Sequence, residues 1–233
     1  MDVYMQLIMN SMQIAAAYIL FSLGLTLIFG VMRIVNFAHG EFFTLPLLVM
    51  GVTVPFLASG TLPLFASYAL GGVLGITLTL LLGGLIYKFA LQRFQRDMTG
   101  SFVVSVGLSL LLQGIFLESF GGVPNKLPAL VEGTVNILGA YITMQRLIIT
   151  CCALLVAVLM CWTIASSRLG KALRAVSEDH EAAMLQGIPY RRIALAGFFI
   201  ATSLAATAAV VAEFVASNRG LGYLLLEYNG NLE

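Results

Sequence analysis

Leu147-Ile148-Ile149-Thr150-Cys151-Cys152-Ala153-Leu154-Leu155-Val156-Ala157-Val158-Leu159-Met160-Cys161-Trp162-Thr163-Ile164-Ala165-Ser166 is a run of twenty residues without a charge. About twenty apolar residues are what an α-helix needs to cross roughly 30 Å of hydrocarbon. A strand of a membrane barrel would instead alternate apolar and polar positions over about ten residues, and this run is continuously apolar. Outward from it, similar segments occur at 11–31, 42–59, 64–87, 101–120 and 193–216. The whole chain of 233 residues is 60% hydrophobic and 10% charged, with a mean hydropathy of +0.98. Soluble domains carry about 25% charged residues, so a chain this apolar cannot hide its surface from water. The fold class is therefore all-α, a polytopic integral membrane bundle of about six transmembrane helices, with no room for a soluble catalytic domain.

Two further features fit a bundle embedded in the lipid bilayer. Cys151, Cys152 and Cys161 all fall in the quoted run, with no histidine at ligand spacing, so they read as small apolar residues rather than a disulfide or metal site. The first ten residues hold no Lys or Arg, and the apolar run after them exceeds a signal-peptide core, so it reads as a retained span. A net charge of +1 gives no bulk attraction to nucleic acid, and the placement of the charges matters more. Basic residues collect on the cytoplasmic side. With 88–100 inside, Arg33, Lys88, Arg93, Arg96, Arg168, Lys171, Arg174, Arg191 and Arg192 all lie inside, and only Lys126, Arg146 and Arg219 lie outside. The N-terminus is then outside.

Two segments break the apolar pattern. Gly30-Val31-Met32-Arg33-Ile34-Val35-Asn36-Phe37-Ala38-His39-Gly40-Glu41 joins the first two spans and gathers polar groups that are expensive at membrane depth. Chemistry alone favours a solvated turn at the interface. The alternative is that the segment enters the bundle, where Asn36 and His39 must find neighbours and Gly40 permits an unwound backbone. His39 is not expected to hold a metal, because the other histidine, His180, sits far off on a cytoplasmic loop. That loop, 167–192, contains Ser177-Glu178-Asp179-His180-Glu181-Ala182-Ala183-Met184-Leu185-Gln186-Gly187-Ile188-Pro189. Ser177 as N-cap, acidic residues in the first turn, and Gly187 with Pro189 as a stop predict a helix over 178–186. A short helix of this kind can dock in a groove on a soluble partner; a solvated connector is the plainer reading. Gly71 with Gly75, Ser105 with Ser109, and Ala201, Ala205 and Ala209 are spaced for close helix packing. Glu213 reads as an interfacial residue near the outer surface rather than a proton relay.

Glu181-Ala182-Ala183 followed by Gly187 resembles the EAA loop of the permeases of ABC importers, whose coupling helix sits in a cleft on an ATPase subunit. Asn36-Phe37-Ala38-His39-Gly40-Glu41 resembles the signature of the branched-chain amino-acid permeases of the LivH type and their urea-type relatives. The resemblance runs from about residue 5 to about residue 210 and takes in Gly170-Lys171-Ala172-Leu173-Arg174-Ala175. It implies a permease domain over 1–216 in the bacterial cytoplasmic (inner) membrane, with Asn36, His39, Gly40 and Glu41 as signature residues. It also implies an ATPase-coupling set of Ala172, Arg174, Glu178, Glu181, Ala182, Ala183 and Gly187. The implied partners are ABC ATPase subunits that bind the ATP, a second permease subunit and an external solute-binding protein, with no cofactor on this chain. Residues 217–233 depart from the pattern, because Ala212 to Tyr223 resembles permeases of the nitrate, taurine and thiamine-precursor type. The tail is expected to be truncated or hybrid.

Other function classes are less well served by the sequence. No G-x-x-x-x-G-K-[ST] phosphate loop is present, so nucleotide is not expected to bind here. A secondary transporter or channel would need ionisable residues inside the spans, and the middles of all six segments lack Asp, Glu, Lys and Arg. An intramembrane enzyme would need paired catalytic groups at depth, and Asp2, Asp97 and Asp179 all fall outside the spans. Among permeases, a carrier of urea or an amide is the alternative to a carrier of branched-chain amino acids.

Overall fold

The computed structural model describes residues 2–216, apart from 61, 95–96, 122–126, 129, 132 and 138–139. The tail 217–233, with Arg96, Lys126 and Arg219, lies outside the described residues, as does the side chain of Glu213. Among the described residues six helices are long and apolar enough to cross a membrane. They are α1 (Asp2–Met32), α2 (His39–Ala58), α3 (Leu64–Ile86), α4 (Met98–Phe120), α5 (Met144–Ser166) and, after two short helices, α8 (Tyr190–Ala216). The short ones are α6 (Arg168–Glu178) and α7 (His180–Leu185). A π turn, Tyr87–Leu91, and a 3-10 turn, Gln92–Phe94, carry α3 onward. Several helices begin about three residues before the corresponding apolar run, because polar residues at the interface join the helix without contributing to its hydropathy.

Helix α8 is the hub and packs against α1, α2, α3 and α5. Its small residues let that happen: Ala201, Ala205, Ala208 and Ala209 are fully buried. Opposite Ala201, Gly24 of α1 comes so close that an added Cβ would stand 2.7 Å from the Ala201 carbonyl oxygen. Gly75 of α3 likewise admits the backbone of Pro46 in α2, where a Cβ would meet Pro46 Cα at 3.1 Å. Dispersion and close backbone approach hold membrane helices together, since lipid tails are as apolar as the side chains. Aromatic rings fill the centre, with Phe42 and Phe198 edge to face at 5.8 Å and Tyr87 tilted against Phe198 at 5.1 Å. Phe56, Phe65, Leu81 and Trp162 lie exposed on the outer surface, as residues facing lipid do. The three cysteines are unpaired and exposed on the same surface.

Helix α4 sits at the rim, packed against α2 and the turns that follow α3. After it comes a feature the hydropathy did not foretell, an antiparallel hairpin of β1 (Thr134–Ile137) and β2 (Ala140–Thr143). Gln6 near the start of α1 holds the hairpin from both sides, its amide donating to the Tyr141 carbonyl at 3.0 Å and accepting from the Tyr141 N–H at 2.8 Å. Gln145, fully buried, accepts from the Leu130 N–H at 2.8 Å. The start of α1 and the hairpin therefore share one end of the bundle. The end of α1 meets α6 at the other, where Arg33 donates to the carbonyls of Ser177 and Glu178.

Candidate functional site

The expected solvated turn between the first two spans is corrected by the structure. Helix α1 runs to Met32, only 33–38 are non-helical, and the polar groups of the segment are inside. Asn36, His39 and Glu41 are 3%, 1% and 4% exposed. The segment enters the bundle because α4 offers it polar partners. The Ser105 hydroxyl accepts from the Phe37 N–H at 3.1 Å and shares its proton between the Val35 carbonyl at 3.2 Å and the Phe102 carbonyl of its own helix at 3.0 Å, which gives polar partners to backbone groups freed by the break in the helix. One turn further along α4, the Ser109 hydroxyl donates to Glu41 Oε1 at 2.9 Å, and one more turn on Gln113 Nε2 donates to the same oxygen at 2.9 Å. Gln113 also donates to Ser109 at 3.1 Å. Ser105, Ser109 and Gln113 recur every fourth residue, and with Ser101, buried one turn earlier, they form one polar stripe along a membrane-spanning helix. Sequence reasoning took the Ser105 and Ser109 spacing as packing alone and left Gln113 aside.

The depth of this cluster follows from α4. Ser109 stands halfway along Met98–Phe120, about 16 Å from its start at 1.5 Å per residue. Glu41 is thus an ionisable group well inside the span region, although the hydropathy placed it outside. Around it, the His39 ring lies between Phe21, 4.9 Å away, and Phe42, 6.0 Å away. Neither amide atom of Asn36 has a hydrogen-bond partner. An unmet buried amide costs about 1–3 kcal/mol, which marks Asn36 as a residue not chosen for stability.

At the other site, the loop 167–192 folds as two helices rather than one. The expected helix over 178–186, capped by Ser177, is corrected: α6 extends through Glu178, and the Ser177 hydroxyl turns back to the Arg174 carbonyl at 2.7 Å. Asp179 is the cap instead. Its extended backbone breaks the helix, and its Oδ1 accepts from the N–H groups of Glu181 at 2.9 Å and Ala182 at 3.1 Å. The Gly187 stop holds, with φ of 81° in the left-handed region that favours glycine.

The residues expected to couple to an ATPase divide into anchors and a free face. Arg174 donates to the Ala165 carbonyl at 2.9 Å and so caps the end of α5. Ala183 is buried against the bundle and Ala172 is half-buried, while Glu178, Glu181 and Ala182 are exposed. Next to them Leu185 is 88% exposed, an apolar side chain at the tip of α7. Beside α7 a groove of about 830 Å³ is lined by Arg93, Arg191 and Arg192 together with Met184 and Tyr190. The one acid–base contact among the described residues is His180 with Glu181 at 4.0 Å, an ion pair only when the imidazole is protonated, so these arginines present uncompensated charge. No group of three or more metal-ligating side chains occurs among the described residues.

The Asp179 cap predicts a pH response. The Ala182 and Glu181 N–H groups hold its carboxyl below the usual carboxylate range. A carboxyl lowered in the folded state contributes stability above its unfolded pKa and loses it as pH falls through the lowered value, so the contribution of this cap is constant above about pH 5 and is lost only in more acid solution. Asp179→Ala is expected to speed hydrogen exchange at the amides of Glu181 and Ala182, and Asp179→Asn to leave it close to wild type, as followed by mass spectrometry. Wild-type protection in Asp179→Ala would mean the cap is idle.

Comparison with known proteins bears on both sites. Residues 7–219 match the family profile described as branched-chain amino acid transport system / permease component. The chain is 28% identical over 237 residues to the high-affinity branched-chain amino acid transport system permease protein BraD of Pseudomonas aeruginosa, covering 95% of this chain and 75% of that protein. It is 28% identical over 223 residues to the corresponding permease protein LivH of Escherichia coli K12, covering 89% of this chain and 70% of that protein. LivH of Salmonella typhimurium is 27% identical over 227 residues, with the same coverage. No solved structure matches the chain.

Proposed function

The chain belongs to the family of branched-chain amino-acid transport permease components, and on that premise we propose that it is the membrane subunit of an ATP-driven importer of branched-chain amino acids. It is a multi-pass membrane permease, not an enzyme. The observation that carries the importer reading is α7. It is a short helix capped at both ends, anchored through Ala183, with Glu181, Ala182 and Leu185 turned outward beside a basic groove. An apolar tip beside an arginine-lined groove suits a cleft with an apolar floor and an acidic rim on a separate ATPase subunit. Arginines 93, 191 and 192 at this end support placing it in the cytoplasm of a bacterium, with the N-terminus and the hairpin outside. A second permease subunit and an external solute-binding protein complete the assembly, and ATP binds on the ATPase subunits. Residues 1–216 form the permease domain, with 167–192 as its coupling loop.

The test is to express the full chain with its ATPase subunits and ask whether they co-purify and drive uptake of leucine, isoleucine and valine. Glu181→Lys and Gly187→Val are expected to weaken co-purification at least severalfold while the permease itself remains monodisperse in detergent. Undiminished association in both variants would remove the coupling assignment. Uptake of urea or an amide in place of the amino acids would favour the other permease reading. Orientation is read by replacing Cys151, Cys152 and Cys161 and then placing single cysteines in 121–146 and in 167–192. Membrane-impermeant reagent should label only the first loop from outside.

A further inference from the structure

We propose that Glu41, flanked by Ser109 and Gln113, is the point in this permease that holds the ammonium group of the transported amino acid on its way through the membrane. The inference rests on the importer reading and adds to it a subsite and a substrate charge. A carboxylate 4% exposed and level with the middle of α4 is costly in a membrane and is normally paired with a cation. Glu41 has none among the described residues. Its partners are neutral, and both bonds, from Ser109 and Gln113, fall on the single oxygen Oε1. Arg33, the basic residue of the same segment, is turned away to the carbonyls of Ser177 and Glu178.

The surroundings fit a place that something passes. Immediately before Glu41, Gly40 faces open space, where a Cβ would meet nothing within 4 Å. Gln113 is exposed on α4, whose other outward side chains through the middle of the helix are Phe102, Val103, Leu110, Leu111 and Ile115, with polar ones only in its first and last turns, so the polar cluster opens on an apolar stretch. A primary carboxamide facing lipid alone would be a liability there. Two neutral donors hold the carboxylate in one orientation without cancelling its charge, which leaves it able to accept from an ammonium group and to release it again. A permanent arginine partner would hold the carboxylate too well for a solute to displace it. An uncharged solute such as urea would gain much less from this site than a zwitterion does.

The experiment uses the complete importer in proteoliposomes and reads ATP hydrolysis and leucine uptake side by side for wild type, Glu41→Gln, Glu41→Asp, Ser109→Ala and Gln113→Ala. With the charge removed, Glu41→Gln is expected to lose about tenfold or more of uptake while keeping hydrolysis within about twofold, as suits a hydrogen bond to a charged group. Glu41→Asp should recover part of the uptake, and Ser109→Ala and Gln113→Ala should each lose severalfold. Wild-type uptake by Glu41→Gln would overturn the assignment. So would a joint fall of assembly, hydrolysis and uptake in Glu41→Gln with normal uptake by Ser109→Ala and Gln113→Ala, the mark of a carboxylate that merely ties α2 to α4. If Glu41→Gln fails to assemble, reduced uptake with intact hydrolysis in the two α4 variants supports the subsite. A wild-type importer that carries some other amino acid removes the branched-chain reading and leaves Glu41 its ammonium. One that carries only uncharged solutes overturns both.

Discussion

Replacing Gly170 with alanine is expected to abolish co-purification of the permease with its ATPase subunits, and to lower the thermal stability of the permease in detergent by more than about 3 kcal/mol, beyond the usual cost of overpacking. The chain turns from α5 into α6 through one non-helical residue, Ser167, whose hydroxyl accepts from the Gly170 N–H at 2.9 Å. So tight a corner lays the first turn of α6 directly on the last turn of α5. A Cβ at 170 would collide with the Ile164 carbonyl oxygen and stand 2.6 Å from its Cα. No rotamer change relieves a clash with backbone, so α6 must swing away. In doing so it would withdraw Leu173 and Val176 from the core and take Arg174 from the Ala165 carbonyl. Since α7 hangs from the end of α6, the docking helix moves with it. Lys171→Ala, at an exposed neighbouring position, is the control and should behave as wild type. Fluorescence melting and co-purification of the two variants give the answer, and a G170A protein that melts and associates normally would show that the corner can relax.

That corner depends on a contact between helices that a sequence does not display. Gly170 was noticed only as part of a motif, because the need for a missing side chain arises from two helices meeting, and one sequence does not show which residues meet. The spans themselves were legible, since continuous apolar runs such as 147–166 have no other home than a bilayer. The hairpin at 134–143 was not, because strands of four residues in a polar stretch carry too little pattern to separate from a loop. Ser177 and Asp179 are both good cap residues, and the choice between them depends on where α6 stops. Arg33 decides that by binding the last carbonyls of α6. Glu41 was misjudged for a related reason. Hydropathy sets the edge of a span by composition, but depth is set by the neighbours, and Ser105, Ser109 and Gln113 draw the segment inward.

Arg33→Ala is expected to leave the importer assembled but to remove most ATP-driven uptake, because among the described residues Arg33 is the one polar bridge between the docking loop and the buried signature segment. Its guanidinium donates to the Ser177 carbonyl at 3.2 Å and the Glu178 carbonyl at 3.1 Å, at the negative end of α6 and immediately before the Asp179 cap of α7. Its backbone, with φ of 51°, begins the non-helical stretch that leads to Asn36 and Glu41. A displacement of α7 by an ATPase therefore reaches the segment through this side chain. The bond is exposed, so on stability it is worth only about 1 kcal/mol or less, and a large effect on uptake would be out of proportion to it. Arginine and alanine both carry a Cβ and pay about 1–2 kcal/mol at this left-handed φ, so Arg33→Ala tests the bridge at constant backbone cost. Arg33→Gly changes both. It frees the backbone and still breaks the bridge, so it should melt at or above the temperature of Arg33→Ala and be equally poor in uptake. Arg33→Lys, able to make one of the two contacts, should fall between. If both Arg33→Ala and Arg33→Gly import leucine at the wild-type rate per ATP hydrolysed, movement of α7 reaches the signature segment through the packed faces of α6 and α8 instead, where Leu173 lies against Gly197.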